Sequence, residues 1–257
     1  MTKPSRRRRG RGAPPPEART TNYRNLRNPF PPMAGFSEDR IAALHASALD
    51  VLERLGIKVL LPEARNAFKA GGARVDESTE MVYVGRDMVD AALATAPKSF
   101  PLIAGHRDRD LVMELGAMVF QPGAGCPHAT DLDRGRRPGT EQDFRELISL
   151  TQHFDVLHMI PPLVEPQDVP IHLRHYAMLK GQMELPDKVP FVFSRGTGQV
   201  DESFEMLRDF RGVSDAEFAA QSHCYTIINT NSPRQLDIPM AQGVMDFARA
   251  GQMAIIT

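Results

Sequence analysis

The regular alternation of apolar and helical segments over residues 118–256 most limits what this chain can fold into. Five short apolar segments begin 28 to 39 residues apart, at 118–120, 157–160, 189–193, 225–228 and 253–256. Each interval has room for one strand, one helix and two loops. This spacing predicts parallel strands joined by helical crossovers.

Helical patterns occupy the intervals at 141–153, 171–183, 201–211 and 238–250. Thr140 with Asp143 forms a capping-box-like start to the first of them. The apolar segments are continuous rather than alternating, which is typical of strands buried on both faces.

Two architectures fit this pattern, an open doubly wound sheet and a (β/α)₈ TIM-type barrel. In the first, a glycine-rich loop usually leads directly into a helix that binds phosphate. The loop at 121–127 has two glycines, but the next helical pattern begins some fifteen residues later. We therefore favour the barrel. About five strands cannot close one, so we expect a truncated barrel with open sheet edges, prone to self-association as a homo-oligomer.

Three regions follow from this reading: a basic, proline-rich disordered tail (1–35), a small N-terminal α+β cap (36–115) and the first part of the barrel (116–257). In the cap, Ser37 is the expected N-cap of a helix with one apolar face at 41, 44, 48, 52 and 55. A later helix at 86–96 is expected to turn Met88, Val89, Ala92 and Leu93 inward.

Composition and charge restrict the function classes. The net charge is −1, yet residues 1–30 hold nine Lys or Arg and one acid, so the rest of the chain carries −9. An acidic body argues against nucleic-acid binding. No apolar run is long enough to cross a membrane, and no secretory signal is visible. Only two cysteines are present, so we expect a cytoplasmic protein without disulfides.

Barrel enzymes place their chemistry at the C-terminal ends of the strands. The first predicted strand is followed by Pro122, Gly123 and Gly125, which either allow close approach of a ligand to the backbone or form a plain turn. The third is followed by Arg195, which either binds a substrate carboxylate or forms a surface salt bridge.

Two further strand ends carry polar residues. Asn229 and Ser232 follow the fourth strand and either contact a ligand or build a turn. Gln167 and Asp168 follow the second. The Asp168 carboxylate either faces a bound cation or caps the helix that begins near Pro170.

Other candidates have a structural interpretation. Core packing is expected for Phe120, Phe193 and Tyr225. The Cys126–His128 pair lacks the third and fourth ligands that zinc requires, and no metal site is predicted. His172 and His175 are treated as structural. No nucleophile–base arrangement is visible, so the catalytic residues stay unassigned.

Short motifs along the chain resemble the trimethylamine methyltransferase family from about residue 37 to the last residue. They are IKV (57–59), AGGARVD (70–76), ATAPKSF (94–100), the loop at 122–125 with DLD (131–133) and RRPGT (136–140), PQDVP (166–170) with LRH (173–175), and NSPRQL (231–236) with FARAGQ (247–252).

The resemblance implies a (β/α)₈ barrel that transfers a methyl group from a methylated amine to the cobalt of a corrinoid carried by a separate protein. The loop at 122–125 would then face the corrinoid, and no cofactor would be bound directly. Founding members carry pyrrolysine in the second half of the family's sequence, outside this chain, and other relatives resemble glycine betaine methyltransferases. Two alternatives stay open: a catalytically inert half-barrel or gene fragment that needs a partner, and an unrelated barrel lyase or decarboxylase.

Overall fold

The computed structural model describes residues 25–31 and 33–257. Most of the predicted tail therefore lies outside the described residues. Within the described part, strand β1 (Leu26–Arg27) pairs antiparallel with β7 (Ala117–Met118). The sequence had assigned Leu26 and Arg27 to the disordered tail. They gain order from main-chain pairing with a distant segment, which no local pattern reveals.

The N-terminal region is a small sheet covered by helices. Helix α1 (Glu38–Asp50) runs into a π-helical turn (Val51–Leu55) that ends at Gly56. There follow β2 (Ile57–Val59), α2 (Pro62–Ala70), β3 (Arg74–Asp76), β4 (Met81–Tyr83) and α3 (Arg86–Thr95). A fourth strand comes from far along the chain, because β13 (Gln235–Leu236) pairs parallel with β2 and gives the order β13-β2-β4-β3.

The predicted apolar faces of α1 and α3 are only partly buried. On α1, Leu49 is buried and Leu52, just beyond it, packs against the sheet core, whereas Ile41 is 52% and Leu44 58% exposed. Met88 and Val89 of α3 pack inward, but Leu93 is 59% exposed. Contact with the sheet is thus confined to the end of α1 and the start of α3. The expectation that Ala92 and Leu93 of α3 point inward was wrong, since both are exposed.

Two hairpins separate this region from the parallel strands. The first joins β5 (Ser99–Leu102) to β6 (Leu111–Glu114), and its tip is bound through hydrogen bonds from Ile103 N to Ser222 O and from His106 N to Asp187 O. The second joins β8 (His128–Asp131) to β9 (Gly135–Pro138). Helix α4 (Glu141–His153) then begins at Thr140, where the predicted capping box with Asp143 is confirmed.

From residue 159 onward, strands alternate with helices. They are β10 (Met159–Ile160), α5 (Ile171–Glu184), β11 (Val189–Pro190), α6 (Thr197–Arg211), α7 (Asp215–Ala220), β12 (Tyr225–Ile228), α8 (Ile238–Arg249) and β14 (Met253–Ile256). The pairs β10–β11 and β12–β14 are parallel, and a parallel bridge between Phe191 and Tyr225 links them. These four parallel strands therefore lie side by side in chain order, whereas β13, which lies between β12 and β14 in the sequence, pairs with β2.

Side chains of these strands divide between two buried layers. Met159, Phe191, Tyr225 and Met253 form one cluster with residues of the β5–β6 hairpin. Val192 and Cys224 point the other way and pack with α6 and α8. Both faces are thus buried, as the continuous apolar segments predicted. Helix α6 begins four residues earlier than expected, after Gly196 with φ 99°. Within residues 25–31 and 33–257, no helix is both long and apolar enough to cross a lipid bilayer.

Candidate functional site

Four polar residues follow the C-terminal ends of the parallel strands: Glu165 comes after β10, Arg195 after β11, Asn229 after β12 and Thr257 after β14. The main chains after β12 and β14 stay paired, because Thr257 N donates to Ile228 O and Thr230 N donates to Thr257 O. Side-chain contacts join the four residues in two pairs, Glu165 with Arg195 and Asn229 with Thr257, whose hydroxyl donates to Asn229 Oδ1 at 2.6 Å.

Glu165 and Arg195 form a bidentate ion pair. Arg195 Nη1 donates to Glu165 Oε2 at 2.8 Å, and Nη2 donates to Oε1. The Glu165 side chain is 9% exposed and that of Arg195 47%. A second guanidinium, that of Arg174, lies 3.9 Å from Glu165 Oε2. Such fork-to-fork geometry fixes both groups in orientation, and the pair places a buried anion beneath a cation that reaches solvent.

Phe193 supplies an aromatic face to the same pair. The guanidinium carbon of Arg195 lies 4.2 Å from the centre of the Phe193 ring, within range for a cation–π contact. Phe193 in turn meets Phe191 edge to face at 4.7 Å, and Phe191 meets Tyr225 at 5.1 Å. Burial raises the pKa of Tyr225 well above its usual value, so its neutral hydroxyl donates to Gln121 Oε1.

The first segment of the site contributes backbone rather than side chains. Gly125 has φ +79°, and a Cβ at this position would lie 3.3 Å from Glu165 Oε1 and 3.6 Å from the Phe193 ring. Gly123 is exposed, and a Cβ there would meet nothing within 4 Å. Of the predicted loop, Gly125 therefore packs against the ion pair, while Gly123 borders open space and Pro122 is partly buried.

Gln167 and Asp168 have structural contacts at the edge of the site. Gln167 Nε2 donates to the Glu165 carbonyl at 2.9 Å, and its own backbone N–H donates to Gly139 O. Asp168 Oδ1 accepts from the backbone N–H of Glu141 at 2.9 Å. Asp168 thus caps α4, whereas α5, the helix near Pro170, has no side-chain cap. The prediction that Asp168 caps the helix near Pro170 was therefore wrong, because the folded loop brings its carboxylate to the start of α4.

Asn229 and Ser232, the two residues predicted after the fourth strand, lie in different surroundings. Asn229 directly follows β12, and its Oδ1 accepts the Thr257 hydroxyl. Ser232 is exposed in the turn that precedes β13, where Asn231 and Gln235 exchange main-chain hydrogen bonds. That turn is bound to the N-terminal region by Arg234, whose guanidinium donates to the carbonyls of Leu55 and Gly56.

The histidine and cysteine candidates lie apart from the ion pair. Cys126 is free and exposed, and His128 lies exposed in β8. His175 is buried with Nε2 2.7 Å from Glu202 Oε2, which supports its structural interpretation. In the part of the chain that the structure describes, no three His, Cys, Asp or Glu side chains are grouped as metal ligands.

Glu165 and the role of Phe193 were missed at the sequence level. Glu165 directly follows the apolar run 156–164. A charged residue at the end of an apolar segment could have identified it as a candidate for the site. Phe193 was assigned to core packing, yet its ring is only partly buried and carries the Arg195 guanidinium. The sequence did identify Arg195, without its partner.

Comparisons with known proteins place this chain in one family. The family described as trimethylamine methyltransferase matches residues 4–257. A glycine betaine methyltransferase from Desulfitobacterium hafniense strain Y51 is 29% identical over 86% of this chain and 46% of its own length.

Two further relatives carry the name trimethylamine methyltransferase. One from Desulfitobacterium hafniense strain DSM 10664 is 31% identical over 53% of this chain and 28% of its own length. Another from Methanosarcina acetivorans is 38% identical over 33% of this chain and 17% of its own length. The chain spans less than half the length of each of these three relatives. Because the family match extends over almost all of it, the chain belongs to the trimethylamine methyltransferase family.

Proposed function

We propose that this chain is part of a methyltransferase that takes a methyl group from a methylated or quaternary amine and passes it to a corrinoid carried by a partner protein. Two observations support the proposal: membership of the family, and the Glu165–Arg195 pair on the face of Phe193 at the strand ends. The second carries it, because it combines the carboxylate, the aromatic face and the guanidinium that recognise such substrates.

The chemistry of a quaternary ammonium explains why no acid–base pair is needed. Its nitrogen is already a leaving group, so the methyl carbon can be attacked without prior protonation. A corrinoid would supply the nucleophile through its cobalt. The residues of this chain would then bind and orient the amine and exclude water from it. Phe193 and Glu165 suit the methylated nitrogen, and Arg195 suits a carboxylate on the same substrate.

The loop at 122–125 is the proposed approach for the corrinoid. Gly123 is exposed and borders open space, so a large planar group can come close to the backbone there. Gly125 lies directly against Glu165 and Phe193, which connects this approach to the proposed amine site.

The fold we propose for the complete enzyme is the (β/α)₈ barrel. The strands β10, β11, β12 and β14 are parallel and follow one another in space in chain order. That order supports a barrel, since a doubly wound sheet reverses its strand order at a switch point.

Methyl transfer to a cobalt(I) corrinoid tests the function. The protein that carries this chain is assayed with glycine betaine, trimethylamine and other methylated amines, and we expect formation of methylcobalt with at least one of them. Arg195→Ala should weaken transfer from a betaine by about 1.5–3 kcal/mol, mainly through KM, and should leave trimethylamine nearly unchanged.

Arg145→Ala is the control, because Arg145 forms an exposed pair with Glu184 away from the site. No transfer from any amine would contradict the function and favour the inert half-barrel. Equal effects of Arg195→Ala and Arg145→Ala on transfer would show that Arg195 does not bind the substrate.

A further inference from the structure

Tyr225 is a fully buried tyrosine whose hydroxyl reaches the start of the first loop of the site. Its ring lies in the interior cluster with Met159, Phe191 and Met253. In the part of the chain that the structure describes, Gln121 Oε1 is the only hydrogen-bond partner of this hydroxyl. A buried O–H group without an acceptor is costly, so the hydroxyl keeps the oxygen of the Gln121 amide turned towards it.

The other end of the Gln121 amide carries an accessible donor. Among residues 25–31 and 33–257, no group accepts a hydrogen bond from Gln121 Nε2. Gln121 is only partly buried, and its Nε2 is not closed off from solvent. A ligand can therefore reach this N–H₂ group, although the side chain points into the interior towards Tyr225.

Contacts between aromatic rings connect this amide to the strand-end site. Gln121 directly precedes the loop at 122–125, and the ring of Tyr225 meets Phe191 edge to face at 5.1 Å. Phe191 in turn meets Phe193 at 4.7 Å. An unbroken series of contacts thus joins Gln121 to the aromatic face that we propose for the methylated nitrogen.

The chemistry of an amide N–H₂ group decides which part of a substrate it can bind. The group donates hydrogen bonds and does not accept them. A quaternary nitrogen carries a positive charge and has no lone pair, so the partner must be an oxygen of the substrate. A carboxylate has about four acceptor sites, enough for an amide donor in addition to a guanidinium.

We propose that Gln121 is a substrate-binding residue whose Nε2 donates a hydrogen bond to an oxygen atom of a substrate such as a betaine, and that Tyr225 is the residue that positions this donor. The inference rests on the proposed function and adds two residues to the amine site. It also gives the substrate an orientation, in which the oxygen end faces Gln121 and the methylated nitrogen faces Phe193 and Glu165.

Gln121→Glu tests the donor with little change of shape. The variant keeps an acceptor for the Tyr225 hydroxyl and replaces the N–H₂ group by an oxygen that cannot donate. Titration calorimetry of the intact protein at pH 8 should show glycine betaine bound at least about ten-fold more weakly. Tetramethylammonium, which has no oxygen, should bind no more weakly than before.

Gln142→Glu is the matched control, because Gln142 is an exposed amide of α4 that donates to Glu146. It should alter neither affinity. The role of Gln121 would be overturned if the Gln121→Glu variant bound glycine betaine as tightly as the unsubstituted protein, or if glycine betaine and tetramethylammonium lost affinity equally. Failure of glycine betaine to bind the unsubstituted protein would overturn it as well.

Tyr225→Phe tests the positioning role. Without the hydroxyl the Gln121 amide can rotate, so glycine betaine should bind about three-fold more weakly while tetramethylammonium is unaffected. The same substitution in a Gln121→Leu background should have no further effect on either ligand, because Tyr225 acts through the amide. A further loss of glycine betaine affinity in that background would contradict the positioning role.

Nuclear magnetic resonance of the unsubstituted protein decides the question if Tyr225→Phe does not fold. The signals of the two Gln121 Nε2 protons should shift when glycine betaine is added and stay in place with tetramethylammonium. Signals that stay in place with both ligands, or shift equally with both, would reject the proposed hydrogen bond.

The binding measurements also separate this inference from the function on which it rests. Methyl transfer to the corrinoid, combined with unaltered affinities in the Gln121→Glu variant, would retain the function and reject the role of Gln121. The expected affinities without any methyl transfer would reject the function and retain Gln121 as a binding residue for the oxygen end of the ligand.

Discussion

Gly125 lies so close to Glu165 that a Cβ on the glycine would stand 3.3 Å from the carboxylate oxygen Oε1. The residue also has φ +79°, a conformation that side chains disfavour. Both properties make this glycine part of the site rather than a replaceable loop residue.

Gly125→Ala should therefore lower the free energy of unfolding by about 1–2 kcal/mol, the cost of a left-handed backbone for a residue with a side chain. Gly123→Ala is the matched control, since a Cβ there meets nothing within 4 Å. It should change stability by less than about 0.5 kcal/mol. Urea unfolding of both variants measures the difference. Similar losses for the two would show that neither the positive φ of Gly125 nor its closeness to Glu165 restricts this position.

Lys188 is almost fully buried and holds the C-terminal end of α4. Its Nζ donates to Thr151 O at 2.6 Å and to Phe154 O at 2.7 Å, adding a charged donor to carbonyls that also accept the backbone N–H groups of Phe154 and Leu157. Lys188→Met should cost about 1–3 kcal/mol, because these acceptors lose a charged donor. Lys180→Met removes an exposed lysine paired with Glu184 on α5 and should cost almost nothing. Chemical denaturation compares them, and equal stabilities would contradict the role of Lys188.

Arg234 binds the turn after β12 to the N-terminal sheet through the carbonyls of Leu55 and Gly56. Arg234→Ala should loosen the pairing of β13 with β2. The amides of Lys58 and Leu60 donate to Arg234 O and Leu236 O, and their hydrogen exchange should accelerate by roughly ten-fold, about 1.4 kcal/mol of local opening.

The amide of Val59 is an internal control in the same strand. It donates to Glu80 O on the opposite side of β2, so its exchange should be unaffected by Arg234→Ala. Faster exchange at Val59 as well would mean that the whole sheet opens and that Arg234 does not act on the β13 edge alone.

Features set by nearby residues were predictable from the sequence. The capping box at Thr140, the helix α4 and the strands β12 and β14 are where the local pattern placed them. Features set by distant residues were not. The strand β13 forms only because its edge meets β2, almost 180 residues earlier. It has only two residues, too few to show a periodic pattern in the sequence.

The same distinction holds for the site. Arg195 and Asn229 were identifiable because each follows an apolar strand. The partner of Arg195 depends on the β10–β11 register, in which positions 30 residues apart are neighbours. Side-chain alternation alone does not specify that register when both faces are apolar. Asp168 illustrates the opposite case, since its position suggested a ligand or a cap on α5, and the folded loop brings it to α4 instead.

His223 makes stability depend on pH. The residue is 4% exposed, and burial, with the positive charge of Arg211, lowers its pKa to about 4. Arg211 Nη1 lies 2.9 Å from Nδ1, which must accept and so stays unprotonated. The unfolded chain, with a histidine pKa of about 6.5, takes up the proton first as pH falls. The contribution of neutral His223 to the free energy of unfolding is therefore complete above about pH 6.5. It declines by at most about 1.4 kcal/mol per pH unit between about pH 6.5 and 4, and it is constant at lower pH.

His223→Gln, which keeps an acceptor for Arg211, tests this dependence. The free energy of unfolding of the unsubstituted protein, minus that of the variant, should be constant between pH 7 and 8 and should shrink steadily between about pH 6.5 and 4. His128→Gln alters an exposed histidine in β8, and its curve should run parallel to that of the unsubstituted protein throughout. A difference for His223→Gln that stays constant from pH 8 to 4 would mean that His223 takes up its proton equally well in the folded and unfolded states, contrary to its burial beside Arg211.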